Sequence, residues 1–272
     1  MKAVDHPSLE LIKGLVVGDP GSGKTGALTS LLKYGYKLRV YDFDNLMGSL
    51  VQYSRRECPD QLKNLSFQTF TDEFQIPSVP VGMVGGAQRV MPFSKGTPTA
   101  YVKALKQLDY WKDADEDLGR PAEWGKDTVV VIDSLTSMAL AAFRYAQAMD
   151  PLGKDARVHY KTAQDLVMNC LAILGSRQFH TNVLVLAHID YSQDHLGLTK
   201  GFPRSIGSAI NAVIAGNFDC VLRVENPNGK ERVVRTNASG IIDLKNPVAF
   251  RVRETYPIET GMWDFFAAVL QH

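Results

Sequence analysis

Residues 18–25 read Gly-Asp-Pro-Gly-Ser-Gly-Lys-Thr, and the reading of this stretch decides the fold. It fits G-x-x-x-x-G-K-[ST], the Walker A phosphate loop. Glycines at its first, fourth and sixth positions let the backbone curl until successive N–H groups point inward and make an anion nest. Lys24 is then placed to reach β- and γ-phosphates, and the Thr25 hydroxyl to coordinate Mg²⁺. The expected nucleotide-binding residues are Gly18, Asp19, Pro20, Gly21, Ser22, Gly23, Lys24, Thr25 and Gly26, and the cofactors implied are ATP and Mg²⁺. The flanks agree with the motif. Leu11 to Val17 is a short apolar strand before the loop, and Gly26 to Leu32 reads as the helix after it.

Outward from the loop, apolar strands alternate with helical stretches, the pattern of a parallel sheet covered by helices on both faces. Strands are expected near 11–17, 37–42, 64–69, 128–133 and 182–187. Val129-Val130-Val131-Ile132 and Val183-Leu184-Val185-Leu186 are continuous apolar runs, as strands buried on both faces require. Phe218 to Glu225 and Arg232 to Thr236 straddle the turn sequence Asn226-Pro227-Asn228-Gly229, which predicts an antiparallel hairpin, and Phe250 to Arg253 is a further candidate strand. Helices are expected at 24–34, 98–112, 135–149, 155–179 and 261–270. Residues 72–98 mix four prolines with four glycines and read as a long excursion. The fold class is α/β: a three-layer P-loop NTPase with a twisted, mostly parallel sheet and a C-terminal antiparallel hairpin, built as one domain over 1–272.

Composition narrows the setting. Apolar content of 45% and charged content of 22% are those of a globular protein with a sizeable core. No apolar run approaches the roughly 20 residues of a membrane span, and Met1 to Pro7 lacks the apolar stretch of a signal peptide. Cys58, Cys170 and Cys220 have neither metal nor redox spacing and suit a reducing cytoplasm. A net charge of +1 does not advertise nucleic-acid binding by the whole molecule, so any such role falls to a local patch.

Other candidate site residues stand at strand ends. Asp133 closes the apolar strand Thr128 to Ile132 in the Walker B pattern and would hold Mg²⁺ beside Thr25. The strand Leu38 to Tyr41 runs into Asp42-Phe43-Asp44. Ligands of open α/β sheets sit at the carboxyl ends of strands, so one of these carboxylates is placed to direct the attacking water. Asp44 is the expected one, with a plain helix cap as the alternative role for either. His188 follows the strand Asn182 to Ala187, where a polar tip reaches the γ-phosphate.

The order of these elements resembles the RecA/recombinase ATPase core over roughly residues 8–255. Val131-Ile132-Asp133-Ser134 resembles the RecA-type Walker B, and Asp42-Phe43-Asp44 resembles the segment whose acidic residue activates water, with Asp in place of Glu. His188 falls where that family carries a Gln that senses the γ-phosphate and moves the following DNA-binding loop. Leu244-Lys245-Asn246-Pro247 resembles a segment whose lysines reach a neighbouring subunit's ATP; only Lys245 matches, Pro247 standing at the second position. The subgroup suggested is that of short phage-encoded RecA-like proteins used in single-strand annealing and recombination, which would work in the host cytoplasm. The resemblance implies a Mg-dependent ATPase with Lys24, Asp44, His188 and Lys245 in catalytic roles. It implies single-stranded DNA, further copies of the chain with ATP at their boundary, and a single-stranded-DNA-binding protein as partners.

Two segments could contact DNA under that reading. One includes Lys154, Arg157 and Lys161; the other, Ile189 to Asn211, sets Lys200, Phe202, Arg204 and Tyr191 among glycines. Cations for phosphates and aromatics for stacking suit a single strand, though a solvated loop with ordinary charges has the same composition. The competing function is a KaiC-like switch or helicase-related motor acting on protein partners or duplex DNA. A small-molecule kinase is disfavoured, because no arginine-rich lid segment is present.

Overall fold

The computed structural model describes residues 10–75, 93–94, 98–153, 155–193, 197–238 and 240–270. Most of the Pro/Gly-rich excursion at 72–98 lies outside them, as does Lys154. In chain order the strands are β1 (Lys13–Val17), β2 (Lys37–Asp42), β3 (Leu65–Thr69), β4 (Phe74–Gln75), β5 (Phe93–Ser94), β6 (Trp111–Lys112), β7 (Asp117–Gly119), β8 (Gly125–Asp133), β9 (Thr181–Ala187), β10 (Ile189–Gln193), β11 (Thr199–Pro203), β12 (Cys220–Glu225), β13 (Val233–Arg235) and β14 (Thr255–Pro257). The helices are α1 (Lys24–Ala27), α2 (Thr29–Lys33), α3 (Gly48–Glu57), α4 (Ala100–Asp109), α5 (Leu135–Met149), α6 (Ala156–Gly175), α7 (Asn211–Ile214) and α8 (Gly261–Leu270).

Eight of these strands form one sheet in the order β14-β13-β12-β1-β9-β8-β2-β3. The six from β12 to β3 are parallel, and β13 and β14 add an antiparallel edge. The strand of the phosphate loop, β1, and the strand ending in Asp133, β8, are therefore not neighbours: β9 lies between them. Alternate residues of the central strands feed two cores. Leu15, Val17, Val130, Ile132, Val183 and Val185 pack under α4, α5 and α6. Val16, Val129, Val131, Leu184 and Leu186 pack on the face that carries α1, α2, α3 and α8. This is the three-layer P-loop arrangement, with a mostly parallel sheet and an antiparallel edge, expected from the sequence. No described helix is long and apolar enough to cross a membrane.

Several local expectations need correction. The helix expected over 24–34 is two short helices meeting at Leu28. There the Leu28 N–H bonds the Thr25 carbonyl, and the Ser30 hydroxyl takes the Ala27 carbonyl at 2.9 Å, competing with the helical ladder. Residues 250–253 are not a strand. The Arg251 N–H closes a turn on the Val248 carbonyl, Phe250 is 81% exposed, and the edge strand forms at Thr255–Pro257 instead. The segment after His188, read as a flexible glycine-rich loop, is largely an antiparallel hairpin, β10 paired with β11.

Two buried polar side chains hold the sheet's lower edge. Asn182 accepts from the Ile12 N–H (2.8 Å) and donates to the Lys126 and Thr128 carbonyls (2.6 and 3.2 Å), so one side chain pins the start of β9 between β1 and β8. Lys13 buries its ammonium against the Phe179 and Thr181 carbonyls, 2.5 and 2.6 Å away. Burial pulls its pKa from 10.5 down to about 7. Between those two values the unfolded chain binds a proton that the fold does not, so Lys13 makes stability rise with pH over that window. Lys13→Met should flatten the rise, by on the order of 2–4 kcal/mol relative to wild type. Urea unfolding at a series of pH values reads it, and parallel stability curves for the two proteins would refute it.

Candidate functional site

The phosphate loop leaves β1 at Val17 and enters α1 at Lys24. Its two tight positions, Gly21 and Gly23, have φ of +77° and +101°, conformations that L side chains rarely adopt. At Gly18 a Cβ would lie 2.5 Å from the Val224 carbonyl oxygen and 2.6 Å from Ser22 Oγ. The loop thus takes the glycines that the motif prescribes. Ser22 Oγ, packed against Gly18, is buried with no hydrogen-bond partner among the described residues.

Three strand ends converge on the loop. Ala187 is level with Val17 on one side of β9, and Leu186 with Asp133 on the other, so His188 emerges between the loop and Asp133. Thr25 Oγ1 donates to Asp133 Oδ2 at 2.8 Å. Lys24 Nζ donates to the Gly18 and Asp19 carbonyls (2.8 and 3.1 Å) and lies 3.3 Å from His188 Nδ1. Ser134 Oγ donates to Asp44 Oδ1 at 3.0 Å. Lys24, Thr25, Asp44, Asp133 and His188 line one cavity of about 700 Å³.

The electrostatics follow from burial. Asp133 is nearly inaccessible, and desolvation pushes its carboxyl up to about 7, against the hydrogen bond from Thr25 and with the fields of Asp44 and Asp42 adding to the rise. Burial likewise pulls the Lys24 ammonium below the ordinary lysine value, opposed by Asp133, Asp44 and Asp19. The His188 imidazole is pulled down by burial and by the Lys24 charge, so it is neutral at neutral pH and can present a lone pair to that ammonium. No group of three or more His, Cys, Asp or Glu is placed to hold a metal ion by itself among the described residues. A cation here would draw on Thr25, Asp133, phosphate oxygens and water, the ligand set that suits Mg²⁺.

Asp42 and Asp44 separate into different roles. Asp42 is buried. Its carboxylate accepts from the Asp44 and Leu46 N–H groups (3.1 and 3.4 Å) and from the Thr69 hydroxyl (2.9 Å), which makes it the structural cap of this turn. Asp44 is half-buried and lines the cavity. Lys245 is not among the lining residues; its backbone bridges Val221 and the residue is exposed. In the hairpin, Lys200 and Phe202 occupy alternate positions of β11, Lys200 lies 3.5 Å from Asp243, and the Arg204 N–H donates to the His188 carbonyl at 2.7 Å. Arg157 and Lys161 belong to α6 and pair with Asp155 and Asp165, ordinary surface ion pairs rather than a basic loop.

Sequence reasoning missed much of the cavity's outer wall. Ser49, Tyr53 and Arg56 face it from one stripe of α3, with the Arg56 guanidinium 5.3 Å from the Tyr53 ring centroid. Their i, i+4, i+7 spacing was the available signal. Arg232 and Ile258 come from the antiparallel edge, and no local pattern marks them.

Residues 10–248 match the family AAA_24, described as an AAA domain. No curated protein matches the chain. Among solved structures the chain is similar to the crystal structure of the RadB recombinase, with 15% identity, a TM-score of 0.44, and coverage of 92% of this chain and 89% of that one. At that score the likeness adds nothing to the topology read from the strands themselves.

The split between the two carboxylates is open to measurement. Asp42→Ala strips three donors of their acceptor and should cost about 2–4 kcal/mol of stability, whereas Asp44→Ala should cost under about 1 kcal/mol. Equal losses in denaturant unfolding would contradict the assignment of Asp42 as the cap.

Proposed function

The chain belongs to the AAA domain family, and from that premise we propose that this P-loop ATPase is a Mg²⁺-dependent enzyme acting on single-stranded DNA as an oligomer, in recombination or strand annealing. The observation that carries the reading is the 3.3 Å approach of Lys24 Nζ to His188 Nδ1. It joins the lysine expected on the β- and γ-phosphates to the root of the β10–β11 hairpin, which bears Lys200 and Phe202.

In this reading Lys24 binds the β- and γ-phosphates, and Thr25 with Asp133 holds the cation. When bound there, Mg²⁺ would supply positive charge against the phosphate oxygens. Asp44, fixed by the Ser134 hydroxyl, orients the attacking water or accepts its proton. His188, neutral and facing Lys24, senses the phosphate end and passes its position along the backbone: its carbonyl accepts the Arg204 N–H that closes the hairpin. Lys200 and Arg204 would meet backbone phosphates, and Phe202 would stack on a base. Lys245, exposed and outside its own cavity, is the candidate cation for a neighbouring copy's nucleotide.

Chemistry and binding can be separated. Lys24→Ala should lose nucleotide binding and turnover while keeping its fold. Asp44→Asn should bind ATP as wild type does and hydrolyse it about 10²-fold more slowly. Wild-type turnover in Lys24→Ala would remove the ATPase assignment, and loss of ATP binding in Asp44→Asn would remove the water-directing role.

The DNA assignment is read by fluorescence anisotropy of a labelled single strand with and without ATP and Mg²⁺. Binding should tighten or weaken with nucleotide and fall steeply with salt, and the double variant Lys200→Ala/Arg204→Ala should lower it at least tenfold. Salt-insensitive binding, or none, would refute it; processive unwinding of a duplex would favour a motor.

A further inference from the structure

Three arginines lie on or beside the β12–β13 hairpin next to the phosphate loop, and carboxylates neutralise two of them. Arg223 pairs with Glu225 at 3.0 Å; Arg235 pairs with Glu225 at 2.6 Å and with Glu254 at 2.9 Å. Arg232, in the turn just before β13, is exposed and has no ion pair or side-chain hydrogen bond among the described residues. Its side chain is nonetheless placed. Cδ and Nε lie 2.9 and 3.5 Å from where a Cβ would stand on Gly23, and Ile258 Cδ1 lies 2.8 Å from the same point. The Ile258 N–H donates to the Arg232 carbonyl at 3.2 Å, which ties the two residues together over the loop. Both line the cavity that Lys24 and Thr25 line.

Sheet order decides which end of a nucleotide this cation would meet. Asp133, His188 and Asp44 come from β8, from the end of β9 and from the end of β2, all on one side of β1. Arg232 comes from the β12–β13 side, across the phosphate loop from them. We propose that Arg232 is a nucleotide-contacting residue supplied in cis, its guanidinium holding the α- and β-phosphates on the flank opposite the γ-phosphate groups. The proposal rests on the reading of the cavity as an ATP site. A planar guanidinium offers a pair of parallel N–H donors that match two phosphate oxygens, and an exposed arginine gives up little hydration to reach them. The spare cation beside Gly23 thereby has a function that its two paired neighbours cannot serve.

Calorimetric titration of ATP and of ADP, with Mg²⁺, into wild type, Arg232→Gln and Arg232→Lys tests it. Arg232→Gln should lose affinity about tenfold or more for both nucleotides, by the same factor, because both carry the α- and β-phosphates. Arg232→Lys should recover part of the loss. The nucleotide-free unfolding temperature should not move, since the side chain holds no other element. Wild-type affinity in Arg232→Gln, or a loss confined to ATP, overturns the proposal. Recovery of binding when Arg232→Gln is mixed with Lys24→Ala protein would place the arginine in trans and overturn it too. Wild-type protein that binds neither nucleotide overturns instead the ATP-site reading on which the proposal depends.

Discussion

A hydroxyl on α1, the helix that follows β1 and its loop, and a carboxylate at the end of β8, which does not pair with β1, meet at 2.8 Å, where Thr25 donates to Asp133. Much of the rest of the molecule serves to make that meeting possible. The strands β1 and β8 must stop at the same level with one strand between them, and that strand must end there too, so that His188 turns out beside Lys24. Asn182 secures this from the far end of β9, bonding the chain on both sides of it in a single buried side chain. A satisfied amide in an otherwise apolar strand fixes register, because a one-residue slip would leave its donors and acceptor buried and unpaired.

The arrangement places charge where the fold alone would not choose it. Asp133 is held in a site that favours its neutral form, and Lys24 in a site that works against its ammonium. Each is tolerated because the other is close and because carbonyls and a hydroxyl supply hydrogen bonds. A polyphosphate with a divalent cation would answer both demands together, oxygens for Lys24 and a metal for Asp133.

The parts of this structure legible in the sequence were those written in local pattern. The phosphate loop, the strands ending in Asp42 and Asp133, and the hairpin around Asn226-Pro227-Asn228-Gly229 each announce themselves within about ten residues. What was not legible depends on contacts between distant positions. Nothing around Lys13 says that its ammonium will sit on the Phe179 and Thr181 carbonyls. Nothing around Arg232 says that Gly23 will lie beneath it. The candidate strand at 250–253 had suitable residue types, but the chain turns there to bring Ile258 back over the loop. The glycines after His188 suggested a loose segment, yet Gly201 fits a paired position where a side chain would collide with Ile189 and Ile242.

A chain of ion pairs also links the phosphate loop to both of its flanks. The Asp19 carboxylate accepts from the Tyr191 hydroxyl in β10 at 3.2 Å and lies 3.9 Å from Arg223, which holds Glu225, which in turn holds Arg235. The Asp19 and Glu254 ends of this chain are exposed and contribute about 0–1 kcal/mol each, whereas the Arg223 and Glu225 side chains are 15% and 11% exposed, where the loss of hydration offsets much of the attraction; the buried Val224, Val234 and Tyr256 hold the sheet edge. Thr25 and Asp133 line the cavity while Arg223, Glu225 and Arg235 do not, so the same kinds of polar group are divided between the site and the sheet edge by position rather than by chemistry.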